Sequence, residues 1–135
     1  MCNKIIDNEV KDIISRFKQT NNTNPLIKDL THLKTYSIDD IQTLEIDDAI
    51  SLERISNQLK LWIHIASPTS YLEYQSAIDK NSRKLTSSVY LSTKTYYMLP
   101  EILINDVFSL SDNVKRDSLS LGVIFNEDGS ISSSE

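Results

Sequence analysis

The chain has 135 residues, 39% of them hydrophobic and 24% charged, with a formal net charge of -5. That length and composition allow one folded domain with a real core and exclude a disordered tail. The negative charge is the wrong sign for a free-standing nucleic-acid binder working through Lys and Arg, unless its acids hold cations that reverse the local field.

Residues 4–18 place Ile6, Val10, Ile13, Ile14 and Phe17 at helical spacing and predict an amphipathic helix. The opening MCNKIIDNEVKD is too acidic and too interrupted for a signal or transit peptide. Cys2, the single cysteine, excludes a disulfide framework within the chain and fits a reducing compartment. No apolar run approaches the ~20 residues that span a membrane. The sequence reads as soluble and cytoplasmic, with no membrane association. NNTNP at 21–25 ends the helix as a short polar linker.

A loop carrying KDLTHLKTY leads into SIDDIQTLEIDDAI, residues 37–50, which holds Asp39, Asp40, Glu45, Asp47 and Asp48 among Ile38, Ile41, Leu44, Ile46 and Ala49. AISLERI (49–55) and LKLWIHIA (59–66) alternate apolar and polar like half-buried strands. Leu59, Leu61, Ile63 and Ile65 share one face, Trp62 and His64 the other. Ser56-Asn57-Gln58 between them predicts an antiparallel hairpin. A helix is expected over about 76–85, a strand at SSVYL (87–91), and a short helix opened by Pro100 over EILIND. DSLSLGVIF (117–125) alternates as another strand and runs into Asp128-Gly129, a hairpin-turn signal. Only Ser130 and Ile131 precede SSSE, so no returning strand is expected. With two glycines in the chain, most turns fall to Asn, Asp, Ser and Pro. The fold class expected is α+β: an N-terminal helix, then a mixed, largely antiparallel sheet with short helices.

The acidic cluster admits two readings. It is a solvated loop at a strand entrance, or it is a metal site anchored in the core by its interleaved isoleucines. Half-buried carboxylates need a metal, protons or basic partners. An all-oxygen set selects hard cations, magnesium or manganese, and two such ions suit phosphodiester displacement. The order and glycine of an EF-hand are missing. Asp47 and Asp48 would face opposite ways in a regular strand, so an irregular, bent loop is expected there. His64 reads as a satisfied strand histidine, and His32 is too isolated to count as a ligand. Tyr71, Tyr74, Tyr96 and Tyr97 read as core or rim packing, with Tyr90 set apart as a base-stacking candidate.

Five blocks, KDLTHLKTYSIDDIQTLEIDDAISLE, LWIHIASPTSYL, SAIDKNSRKLTSSVYL, YMLPEIL and FSLSDNVKRDSLSLGVIFNEDGSI, occur in the order of the catalytic domain of the ribonuclease II / ribonuclease R family, the RNB domain. From about Lys28 to Ile131 the chain resembles that family. The resemblance implies a magnesium-dependent, processive, hydrolytic 3'-to-5' exoribonuclease that releases nucleoside 5'-monophosphates from single-stranded RNA. It places the metal ligands on Asp39, Glu45, Asp47 and Asp48, with Asp47 also catalytic, and leaves Asp40 without a required role. It places the aromatic that stacks near the RNA 3' end on Tyr90.

The same resemblance divides the chain into an N-terminal helix and linker (1–27) and the first part of an RNB catalytic domain (28–135), truncated at its C-terminal end. The remainder of that domain and the RNA-binding domains are then missing partners. Glu45 stands where the family usually has Asp, which moves a carboxylate outward by roughly 1.5 Å. Ser67 and Leu85 replace a common Asp and a common Arg. Two functional classes follow: a segment of an exoribonuclease, or a non-catalytic remnant that binds RNA or a partner.

Overall fold

A computed structural model of the chain describes residues 2–19 and 27–135. The expected linker at 21–25 lies outside them. The elements in order are α1 (Cys2–Gln19), β1 (Thr35–Tyr36), β2 (Asp48–Ile55), β3 (Gln58–Ala66), a 3-10 turn (Pro68–Ser70), α2 (Ala77–Leu85), β4 (Val89–Tyr90), β5 (Thr95–Tyr96), α3 (Glu101–Leu103) leading into a π turn (Ile104–Phe108), β6 (Ser118–Phe125) and β7 (Ile131–Ser134). This is the α+β arrangement expected. The chain forms two compact units, one of Met1–Asn21 with Pro68–Phe108, the other of Asn22–Ser67 with Ser109–Glu135.

The first unit is built on the apolar stripe of α1. Val10 and Ile13 join Tyr71, Ile78, Leu99, Leu103, Ile104, Val107 and Phe108 in one core, with Ile6, Ile14 and Phe17 packed against it. Phe17 meets Tyr71 edge-on at 5.8 Å between ring centroids. The N-terminus of α2 leaves backbone N–H groups without helical acceptors. Ser76 accepts one of them, from Asp79, at 3.1 Å. Glu9 of α1 accepts two more, from Ala77 and Ile78, at 2.8 and 2.9 Å. The cap therefore ties two helices together. SSVYL yields only the two-residue strand β4, paired with β5.

The second unit is an antiparallel sheet in the order β1-β2-β3-β6-β7. Its central hairpin pairs Asp48 with Ile65 through Ile55 with Gln58, and Ser56 makes the turn with a φ of 54°. The strands alternate as expected, but the buried face is the one bearing Trp62 (3% exposed) and His64 (6%), not the one bearing the isoleucines and leucines. Trp62 settles there because Gly122 opposite it leaves room: a Cβ at Gly122 would lie 2.9 Å from the indole. The indole Nε1 donates to Glu53 at 2.9 Å, and the Lys28 and Lys60 ammoniums lie 4.6 and 5.2 Å from the ring centroid. His64 bridges Ser51 and Ser120, each at 2.8 Å, so its burial strands no polar atom.

The returning strand that the sequence does not predict is present. Asp128 accepts from the Ser130 N–H at 2.9 Å, Gly129 takes a φ of 83°, and β7 then pairs Ser134 with Val123 and Ile131 with Phe125. Its four residues are all exposed. An edge strand needs a backbone partner and not a buried side-chain face, so Ile-Ser-Ser-Ser suffices without an alternating pattern.

Gly122→Ala should therefore lower stability by about 1–3 kcal/mol, measured by urea unfolding, because the indole has to move. Trp62→Leu in the same chain should remove most of that extra cost. A Gly122→Ala chain as stable as the wild type would show that the Trp62–Gly122 contact does not set the packing. A second outcome concerns pH. Burial holds the His64 imidazole below its ordinary pKa, so the unfolded chain takes up the proton more readily. Its contribution to stability is complete above about pH 6.5 and is lost as the pH falls through the lowered folded value. Unfolding compared at about pH 7.5 and about pH 5.5 should show this loss, and His64→Gln should reduce it.

Candidate functional site

Asp39, Asp40, Glu45 and Asp47 occupy the irregular segment between β1 and β2, as the bent-loop expectation requires, while Asp48 is already the first residue of β2, paired with Ile65. Asp40 closes a local turn: its carboxylate accepts from the Gln42 N–H and its carbonyl from the Thr43 N–H, both at 2.9 Å. That use of the Asp40 side chain separates it from the other four acids. Three bonds fix the end of the segment. The Ile46 N–H donates to Ser109 Oγ at 3.0 Å, the Leu110 N–H to the Ile46 carbonyl at 2.9 Å, and the Ala66 N–H to the Asp47 carbonyl at 2.8 Å. Asp47 and Asp48 are thus held by main-chain bonds at the open end of the β2–β3 hairpin, and both residues are exposed.

Of the interleaved apolar residues, Ala49 is buried and Ile46 half-buried, but Ile38, Ile41 and Leu44 do not anchor the segment as expected. Ile38 and Ile41 are 90% and 99% exposed. Anchoring falls to the backbone of Ile46 and Asp47, since an irregular loop can dock through amide groups and leave its side chains in water. The electrostatics do match a cluster. Partial desolvation, then the charges of Glu45, Asp48 and Asp39 in that order, push the Asp47 carboxyl above its usual range. The other three acids act on Asp47 through their charge, after the larger effect of desolvation.

An all-oxygen donor set of this kind suits magnesium or manganese and not zinc. Among the described residues, however, no three acids, histidines or cysteines converge closely enough to hold an ion. The donor types fit such an ion. His64 is fully engaged in the sheet, as its sequence context predicts.

Tyr90, 63% exposed, lies on the β4–β5 hairpin of the first unit. Tyr71 and Tyr97 belong to the core or pack on it, as expected. Tyr74 and Tyr96 do not. Both are exposed, with Arg83 5.3 Å from the Tyr74 ring and Lys94 4.7 Å from the Tyr96 ring. Spacing alone could not separate them from Tyr97, because in TYY any one tyrosine can take the buried side.

The RNB domain family model matches residues 27–135. Ribonuclease II, chloroplastic/mitochondrial, of Arabidopsis thaliana is 40% identical over 104 residues, covering 76% of this chain and 13% of the relative. Exoribonuclease 2 of Buchnera aphidicola subsp. Schizaphis graminum is 38% identical over 107 residues, covering 78% of this chain and 17% of the relative. Among solved structures, Mycoplasma genitalium RNase R in complex with double-stranded RNA superposes with a TM-score of 0.77 at 25% identity, over 98% of this chain and 27% of that one. The chain thus spans under a fifth of the length of these two curated relatives. The matched stretch contains the whole acidic segment and the hairpin that holds it, and on that ground the chain belongs to the RNB-domain family, that of ribonucleases II and R.

Proposed function

We propose that this chain carries the acidic metal-binding part of a cytoplasmic, hydrolytic 3'-to-5' exoribonuclease acting on single-stranded RNA and releasing nucleoside 5'-monophosphates. The observation that carries the reading is that Asp39, Glu45, Asp47 and Asp48 all lie in the stretch matched by the RNB domain, with Asp47 and Asp48 at a strand end pinned by main-chain bonds. Like charges gathered in this way cost free energy that a divalent cation offsets. Asp39, Glu45, Asp47 and Asp48 would hold magnesium, or manganese in its place. When bound, the ion supplies charge stabilisation at the phosphodiester. The chain's own residues hold that donor set at the hairpin mouth, while Tyr90 offers an exposed ring for a base to stack on. The exposed pairs Lys94–Tyr96 and Arg83–Tyr74 add cationic and aromatic surface of the kind single strands use.

The share of its relatives that the chain spans supports completion of the site by further polypeptide, the rest of the catalytic domain and its RNA-binding domains. A second reading, a non-catalytic RNA- or partner-binding segment, draws on the failure of any three described acids to converge. No helix among the described residues is long and apolar enough to cross a membrane.

A chimera with this chain in place of the matched part of Mycoplasma genitalium RNase R tests the reading. Asp47→Asn should lower the rate of mononucleotide release at least about 100-fold and leave RNA binding largely intact, since it removes charge and not shape. Asp39→Ala and Asp48→Ala should be severe. Asp40→Ala should cost only its turn, about 1 kcal/mol of stability. Glu45→Asp should be mild or activating. Near-normal cleavage by the Asp47→Asn chimera would sink the assignment of Asp47, and equal losses at Asp39 and Asp40 would shift the register of the ligands. The 135-residue chain alone, with magnesium and labelled single-stranded RNA, should release no mononucleotides; release that Asp47→Asn abolishes would show the segment to be a complete enzyme.

A further inference from the structure

Tyr90 stands on a hairpin that has little to hold it. The strands β4 and β5 pair only Val89 with Tyr96 and Tyr90 with Thr95, and a two-stranded hairpin is marginal in water by itself. Side-chain burial does not make up the difference. Every residue from 85 to 96 is exposed except Ser88 and Thr95, which are half-buried. At the tip the Leu91 N–H donates to the Lys94 carbonyl at 3.0 Å. The base of the hairpin therefore decides whether the Tyr90 ring keeps one place.

At the base the ladder stops and serine hydroxyls take over. Ser88 Oγ accepts from the Met98 N–H at 3.0 Å. That bond joins the outgoing limb, two residues before Tyr90, to the returning limb where it enters the core beside Leu99. The Met98 carbonyl is met by Ser82 of α2, a buried residue whose Oγ lies 3.1 Å from it and 2.9 Å from the Ile78 carbonyl. Both backbone groups of Met98 are thus bound by serines, one on the helix and one on the hairpin. The helix is tied in turn to α1, because Glu9 accepts from the Ala77 and Ile78 N–H groups. One connected path runs from α1 through α2 and Met98 to Ser88. Without the Ser88 hydroxyl the Met98 N–H has to be satisfied by water, and water reaches it most readily when the two limbs part.

On the reading of Tyr90 as a stacking residue, we infer that Ser88 is its positioning residue: the Ser88 hydroxyl closes the base of the hairpin on Met98 and holds the ring where an RNA base can stack. In the 135-residue chain, Ser88→Ala should speed hydrogen exchange of the Leu91 and Met98 amides at least about 10-fold, and leave the buried Ile78 and Leu103 amides within about twofold. Binding of labelled single-stranded RNA is then measured in the Mycoplasma genitalium RNase R chimera, with Asp47→Asn to stop turnover. There Tyr90→Ala should weaken binding about 10-fold and Ser88→Ala at least about threefold. Ser88→Thr keeps the hydroxyl and should bind within about twofold of the parent. Adding Ser88→Ala to Tyr90→Ala should cost nothing more, since no ring is left to hold. A silent Tyr90→Ala overturns the stacking role and leaves Ser88 nothing to position. A clear loss at Tyr90 with a silent Ser88→Ala overturns the positioning alone. So does a Ser88→Thr variant no better than Ser88→Ala, or a double variant whose losses add. Core amides that lose protection together with the hairpin would make Ser88 a general structural residue and overturn the inference as well.

Discussion

The register of the β2–β3 hairpin decides where everything else in the second unit falls. Side chains alternate along a strand, so a slip of one residue would turn Trp62 and His64 outward and carry the acids to the wrong side. Side-chain bonds on the buried face hold the register. His64 is bound on one side by Ser51 of β2 and on the other by Ser120 of β6, and Trp62 reaches Glu53 while lying against Gly122. Each of these contacts is specific to one alignment of three strands. An apolar face of leucines and isoleucines would tolerate a slip far more readily, because any aliphatic side chain can replace another.

Fixing the hairpin also fixes the acids, through its last main-chain bond from Ala66 to Asp47 and the bonds of Ile46 to Ser109 and Leu110. A strand end is a workable place for such a cluster. Its backbone groups are satisfied on one side, while its carboxylates stay in water where repulsion is screened. The cost of bringing them together concentrates at Asp47, which burial and three like charges push the same way. Asp40, one residue from Asp39, is spared by using its carboxylate on the Gln42 amide. Adjacent acids in sequence thus serve different ends: one shapes the loop, and the other is left for the cluster.

Periodicity exposed α1, the hairpin and β6 in the sequence, and the strand-breaking composition of AIDKNSRK placed the helix over about 76–85. These are local properties, carried by spacing and composition within a few residues. Glu9 capping α2 was not legible, since its partners lie 68 and 69 residues away. Alternation in β3 divided Leu59, Leu61, Ile63 and Ile65 from Trp62 and His64 but could not say which side is covered. Hydropathy favours the aliphatic side, whereas Gly122 and Ser120 on a distant strand help make the other side the packed one. Ile38 and Ile41 misled for a related reason: apolar residues near a core do not enter it unless their loop is short enough to turn them inward. The acids themselves were legible as a cluster along the chain, because ten residues hold them all.

The two units also keep the acids and Tyr90 on separate lengths of chain. The acids belong to the sheet, and Tyr90 to the segment that leaves after β3 and returns before β6. Since β3 and β6 are neighbours in the sheet, that excursion starts and ends at one place, and the Ser67 N–H closes it by donating to the Asp117 carbonyl at 3.2 Å. The closure uses main-chain atoms of Ser67, so it does not depend on the side chain at that position. Beyond this point the sheet pairs Ala66 with Ser118 and continues toward the serines that hold His64. Changes within residues 68–108 can therefore reshape the exposed surface around Tyr90 while the hairpin register, and with it the placement of Asp47 and Asp48, stays as the sheet sets it.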